Sequence, residues 1–378
     1  MTNSLELTQR LLRVPSVSGS ADNSCIDYLE ELLGKLGFTS HRLFFDDKGS
    51  YGVDNLYASI GSGGPHLCFA GHTDVVPAGN GWTVEPFSGE LISGRVFGRG
   101  AVDMKSAIGC FVEAVDRFLK SHPFENGTIS LLITGDEEKE AVNGTVRVLQ
   151  WMAQNGHKPD ACIVGEPTSE QKVGDTYKIG RRGSLSAEIS TNGVQGHVAY
   201  PAQAQNPIPS LLRILNTLQN RVLDEGCDGF APSNLEIATI DVGNTSRNTI
   251  PARANATINI RFNPTHTNQG LRDWISDTVH AEPGADVRFF GNGDAFINPS
   301  ESLSRQVVEA IKSTVGLDPV ASTGGGTSDA RFIKDTCPTI ELGVMNALAH
   351  KVDEHVAVAD LEALSAIYLK FIEHYFAD

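Results

Sequence analysis

The segment "GHTD" closes an apolar run at 66–70 with an imidazole, His72, and a carboxylate two positions later, Asp74. Alone, a His-x-Asp is a weak signal. The chain repeats the arrangement, however. "ISLLIT" leads into "GDEE", with Asp136, Glu137 and Glu138, and "ACIVG" leads into Glu166. "TIELG" is followed after a short loop by "ALAHKVDEH", which carries His350, Asp353, Glu354 and His355. Between the first two, "GRGAVDMKSA" places Asp103 at the start of a helical stretch.

Mixed imidazole and carboxylate ligands suit zinc, with cobalt, manganese or iron as competitors; copper would prefer thiolates and magnesium oxygen alone. A carboxylate has two oxygens, so one Asp can bridge two metals. Two His, a bridging Asp and two terminal carboxylates give each metal three protein ligands and an open position for a shared water. One acid must then stay unligated to take the proton of that water. The neighbours Glu137 and Glu138 offer one residue for each task. A serine nucleophile is the rival chemistry, but "GGGTSDA" lacks the G-x-S-x-G elbow. That loop reads as backbone donors for a substrate carboxylate.

These residues need elements that bring them to one place. The runs at 66–70, 129–134, 161–165 and 339–343 are strand-length and almost continuously apolar, as strands covered on both faces are. Helical periodicity fills 5–13, 24–36, 104–119, 145–155 and 361–376. The alternation predicts a layered α/β sheet, and open sheets of that class bind ligands beyond the carboxyl ends of their strands. The stretch 181–291 differs. "SLSAEIST" and "ATINIRF" alternate strictly, and a helix over 209–223 places Leu211, Leu215, Leu218 and Val222 on one stripe. A smaller α+β domain at 181–291 is therefore expected inside a larger one formed by 1–180 and 292–378.

The 378 residues exceed what one core usually serves, in keeping with two domains. A formal net charge of -16 argues against nucleic acid or an anionic membrane as partner. None of the six cysteines lies in a C-x-x-C pair, so free buried thiols are expected. The N-terminus is amphipathic without an apolar signal core, and no run reaches the length of a membrane span. The expectation is a cytoplasmic enzyme.

Taken together, "GHTDVVP", "GRGAVDMK", "DEE", "GEPT" and the late His350 resemble the M20 family of co-catalytic zinc amidohydrolases and peptidases, over essentially the whole chain. More selective stretches are "GRRGSL", "VQGHVAYP", "GGTSDARFI" and "LGVMNALAHKVDE". The resemblance implies a central mixed sheet with helices on both faces and an inserted α+β lid that also forms a homodimer. It implies two zinc ions per subunit, with cobalt able to substitute. His72 and Glu166 would hold one and His350 and Glu138 the other, with Asp103 bridging.

In the same way Glu137 is implied as general base and acid, and Asp74 as the hydrogen-bond partner that orients His72. His197 is implied as a donor to the oxyanion in the partner subunit's site. The implied substrate is N-succinyl-LL-2,6-diaminopimelate, a small molecule with three carboxylates. Its contacts would come from Arg181, Arg261, Asn248 and Asn346, with Ser184, Tyr200 and Thr327 beside them and Arg182 bracing Arg181. Another M20 deacylase, such as one acting on acetylornithine, or a metallocarboxypeptidase, is the alternative. Asn80, Lys139 and Asp353 depart from the family's usual residues without removing a ligand or the base.

Overall fold

The computed structural model describes residues 2–377 except Ala21, Lys48, Gly49, Pro123 and Pro299. It comprises two compact units. The first is residues 1–179, 298–322 and 328–378; the second is 180–297 and 323–327.

The first unit is built on an eight-stranded mixed sheet. In spatial order its strands are Thr39–Phe45, Val53–Ser62, Gly127–Thr134, His66–His72, Ala161–Val164, Thr339–Glu341, Thr176–Lys178 and Val320–Ser322. The four from Gly127–Thr134 to Thr339–Glu341 run parallel and side by side. Their apolar sequences follow from cover on both faces. Phe69 stacks on Phe111 of the helix Lys105–Ser121, with ring centroids 4.3 Å apart. Ala58 pairs with Leu131, which pairs in turn with Phe69, so the next residue, Tyr57, faces the other way. There it meets Trp151 of the helix Thr145–Gln154. The final helix, Val358–Ala377, completes the first layer through Leu364, Tyr368 and Phe371.

Two glycines explain how this sheet edge accepts Asp103. A Cβ on Gly71 would stand 2.6 Å from the Met104 Cε, and one on Gly165 would stand 2.7 Å from it. Glycine immediately before His72 and before Glu166 thus leaves room for the side chain that follows Asp103. A small three-stranded sheet lies apart from the main one: Glu90–Ile92, Arg95–Phe97 and His355–Ala357.

The second unit is a four-stranded antiparallel sheet in the order Asn234–Asp241, Arg253–Phe262, Gly183–Asn192, Ala285–Gly293. Strict alternation buries Leu185, Ala187 and Ile189 together with Ala256, Ile258 and Ile260. The helices Ile208–Gln219 and Asn268–His280 cover that face through Leu211, Leu215, Leu218, Leu271 and Ile275. Each such buried Leu or Ile side chain is worth ~1.5–3 kcal/mol over its exposed state.

Two expectations change. The helix expected to reach 223 ends at Gln219, where the Asn220 side chain donates to the Asn216 carbonyl at 2.7 Å, and Val222 is exposed beyond it. Phe296–Ile297 pairs with Gly180–Arg181, which carries the second unit past the boundary at 291. All six cysteines are free thiols. Among the described residues no helix is long and apolar enough to cross a membrane.

Candidate metal centre and substrate residues

The four adjacent parallel strands deliver their chemistry at their carboxyl ends, where a sheet of this kind exposes a crevice. His72 is the last residue of its strand, and its register partner is Thr134, from which the chain runs into Glu137 and Glu138. Glu166 follows Val164, and the loop after Glu341 returns through His350. Asp103 enters from the turn before the helix Lys105–Ser121. It could have been an ordinary helix cap, but the capping position is Met104 and no side chain caps that end.

Asp103 sits between the two histidines. Its Oδ1 stands 3.1 Å from His72 Nε2, and its Oδ2 stands 3.3 Å from His350 Nε2. Glu138 Oε1 is 2.8 Å from His350 Nε2, and Glu166 Oε1 is 3.7 Å from His72 Nε2. His72, Asp103 and Glu138 offer ligand atoms all within 4.8 Å of one another, as do His72, Glu137 and Glu166.

This spacing suits shared cations. Two ligand atoms each ~2.1 Å from a zinc ion at the tetrahedral angle stand about 3.4 Å apart. The four separations of 3.1, 3.3, 2.8 and 3.7 Å scatter about that value. Electrostatics agrees. The bonds from Asp103 and Glu138 push the His350 imidazole up to about 10. Burial alone would lower His72, yet the carboxylates of Asp103 and Asp74 outweigh it and hold the ring well above its ordinary value. The pocket demands positive charge, which divalent ions at these donors would supply. Burial also holds the Glu137 carboxyl well above its usual range; His72 opposes this, while Asp329 and Glu138 reinforce it.

His72 meets Asp74 more closely through its main chain than through its carboxylate. His72 Nδ1 donates to the Asp74 main-chain carbonyl at 2.9 Å, while the nearer carboxylate oxygen is 3.5 Å away. That carboxylate is committed elsewhere. It accepts the Glu137 amide at 3.2 Å, the Glu138 amide at 3.1 Å and the Ser18 hydroxyl at 2.6 Å. Asp74 therefore fixes the tautomer of His72 through its backbone and the turn carrying both glutamates through its side chain.

The remaining candidates divide between the units. Asn346 belongs to the first, where its amide donates to the Ser169 carbonyl. In the second, Ser184 and Arg261 are register partners on neighbouring strands. Arg261 is held by Asn259 at 3.1 Å, and burial, then the nearby Arg182, lowers its affinity for its proton. Arg182 donates to Asn234 at 3.1 Å, and Arg181, buried, donates to the Gly326 carbonyl, next to Thr327, at 3.2 Å. His197 lies on a two-residue strand paired with Thr249–Ile250, and its Nδ1 accepts the Ala199 amide at 3.1 Å. Tyr200 is exposed beside it, with ring centroids 5.7 Å apart, and Asn248 accepts the Val198 amide on its main-chain carbonyl at 3.0 Å.

Sequence reasoning gave no role to Ser18, Arg99 or Glu354. Ser18 carries no signal beyond its place in "SVSG". Arg99 and Glu354 lie inside the motifs that supply Asp103 and His350, but nothing in the sequence pairs the two.

Comparison with known proteins adds three findings. The model of peptidase family M20/M25/M40 matches residues 68–374. The chain is 51% identical over 376 residues to a succinyl-diaminopimelate desuccinylase of Rhodospirillum centenum, covering 99% of this chain and 97% of that one. It is 52% identical over 375 residues to the protein of the same name from Gluconacetobacter diazotrophicus, covering 98% and 97%. Among solved structures, an M20 family metallo-carboxypeptidase from Sulfolobus solfataricus superposes with a TM-score of 0.83 at 19% identity, covering 99% of both chains. A dinuclear metal-binding peptidase of the M20 family from Bacillus subtilis superposes with a TM-score of 0.67 at 16% identity, covering 99% and 97%.

Proposed function

The chain belongs to peptidase family M20/M25/M40, and from that premise we propose that it is a dizinc amidohydrolase. It hydrolyses the amide of N-succinyl-LL-2,6-diaminopimelate to succinate and LL-2,6-diaminopimelate, a step toward lysine and the cell-wall precursor. The observation that carries the reading is identity of about half over nearly the full length to relatives named for this activity. The convergence of His72, Asp103, Glu137, Glu138, Glu166 and His350 supports it.

Zinc is preferred because the donor set mixes imidazole with carboxylate. His72 and Glu166 would hold one ion, His350 and Glu138 the other, and Asp103 both. Bound there, the ions would acidify the attacking water and polarise the scissile carbonyl. Glu137 takes the proton of that water and returns it to the leaving amine. Its neighbour Glu138 faces His350, which leaves Glu137 as the carboxylate available for proton transfer. Asp74 holds the Glu137 and Glu138 amides, so base and ligand keep a fixed relation.

The second unit acts as a lid and pairs with its counterpart in a homodimer, and His197 of the partner subunit donates to the oxyanion of the tetrahedral intermediate. Arg181 and Arg261 bind substrate carboxylates in bidentate fashion. Asn248, Asn346, Ser184, Tyr200 and Thr327 supply neutral hydrogen bonds. A biosynthetic step and six free thiols support a cytoplasmic location.

The test is a comparison of kcat/KM on N-succinyl-LL-2,6-diaminopimelate and on N-acetylornithine. The succinylated substrate is expected to be preferred by at least about 100-fold, since the arginines left unpaired by the smaller substrate penalise it. Equal rates, or a preference for N-acetylornithine, would overturn the substrate assignment.

A further inference from the structure

We propose that the buried ion pair Arg99–Glu354 is a positioning device that holds the Asp103 and His350 segments in metal-binding geometry before any metal arrives. The inference rests on the reading of Asp103 and His350 as ligands.

The pair lies wholly within the first unit. Arg99 Nη1 stands 2.6 Å from Glu354 Oε2, with the side chains 2% and 0% exposed. Such a pair gains little stability over apolar residues of the same volume, because both charges leave water. Its use must lie in what else it binds. Glu354 Oε1 accepts the Val102 amide at 2.7 Å and the Asp103 amide at 3.2 Å. Arg99 Nη2 donates to the His350 carbonyl at 3.3 Å and to Ala78 at 3.1 Å, and Nη1 donates to Lys351 at 3.1 Å. The arginine therefore grips the backbone of one ligand segment, and the glutamate grips the other.

Two further features fit this role. His350 has φ of +62°, a left-handed conformation that a residue with a Cβ adopts only at a cost. A backbone so placed needs partners to keep it there, and its carbonyl is one Arg99 holds. The strands Arg95–Phe97 and His355–Ala357 pair in register, and Gly98 donates to the Glu354 carbonyl at 2.9 Å. The two segments thus meet on a small platform, and the ion pair ties its end to the ligands.

The test uses the full-length protein with zinc ion as probe. Zinc affinity is measured by competition with a chromophoric chelator, alongside kcat, KM and the thermal midpoint of the metal-free protein. The double variant R99M/E354M, apolar and similar in volume, leaves the Val102 and Asp103 amides and the His350 carbonyl unpaired, so the metal-free midpoint is expected to fall and zinc affinity to fall ~10–100-fold. E354Q is expected to lose affinity and kcat with KM little changed, and R99K to recover part of what R99M loses. Wild-type zinc affinity and kcat in R99M/E354M would overturn the proposal. Should that variant not fold, amide exchange in the wild type decides. The Val102 and Asp103 amides are expected to be protected without zinc; exchange at unstructured-chain rates until zinc is added would overturn it. No zinc binding by the wild type would instead overturn the metal-centre reading, and this inference with it.

Discussion

One carboxylate, that of Asp103, faces two imidazoles that lie far apart in the chain: His72 at 3.1 Å from one oxygen and His350 at 3.3 Å from the other. Its value lies in having two oxygens. Asp103→Asn replaces one of them by an NH2 group, which cannot ligate. The expected result is loss of at least about one bound ion per subunit, with turnover slowed at least about 100-fold. Metal analysis after dialysis, with steady-state kinetics, checks both. Two retained ions and wild-type turnover would remove Asp103 from the bridging role.

Glu137 shares the site yet is assigned proton transfer and not ligation. Glu137→Ala is therefore expected to keep the metal content and lose ~10²–10⁴ in kcat. Parallel metal content and turnover separate it from Glu138→Ala, which should lose both.

Asp74 carries two amides and a hydroxyl on its carboxylate. Asp74→Asn keeps the size but turns one acceptor into a donor facing those hydrogens. A fall of ~10–100-fold in kcat is expected with KM nearly unchanged, because substrate contacts are untouched. Ser18→Ala removes only one of the three bonds and should cost less.

A pH prediction concerns the second unit alone. Asp224 accepts from Gly226 at 2.7 Å, Ser233 at 3.2 Å and Asn263 Nδ2 at 2.6 Å. Burial pushes its carboxyl up, but the bonds from Ser233, Gly226 and Asn263 outweigh it and hold it at about 2, below the ordinary 3.8. A carboxyl lowered on folding stabilises the protein above its unfolded value and stops doing so as pH falls through the folded one. The stabilisation is thus present above about pH 4 and fades toward pH 2. The thermal-midpoint difference between wild type and Asp224→Asn should shrink as pH falls from 5 to 3. A constant difference would contradict the assignment.

Much of this was legible in the sequence. The apolar runs ending in His72, Glu137–Glu138 and Glu166 identify parallel strands and their reactive edge, because period and burial leave a direct trace. The alternation of 184–191 and 256–262 marks the antiparallel sheet by the same logic. The strands Thr39–Phe45 and Val53–Ser62 escaped, since mixed polar composition hides the burial of Asn55 and Tyr57. The preference of His72 for the Asp74 carbonyl was not legible either, because side-chain identity says nothing about which oxygen a turn presents. Arg99 and Glu354 were hidden for a related reason: the pairing of Arg95–Phe97 with His355–Ala357 is non-local, and three-residue strands carry almost no periodic signal.

If these convergent side chains make a metal-dependent amidohydrolase, turnover must follow the metal. The most direct measurement is release of succinate from N-succinyl-LL-2,6-diaminopimelate by the wild-type protein, after chelation and again after zinc is restored. Turnover is expected to disappear with chelator and to return with about two zinc ions per chain. Turnover indifferent to chelator, or none with two ions bound, would contradict it.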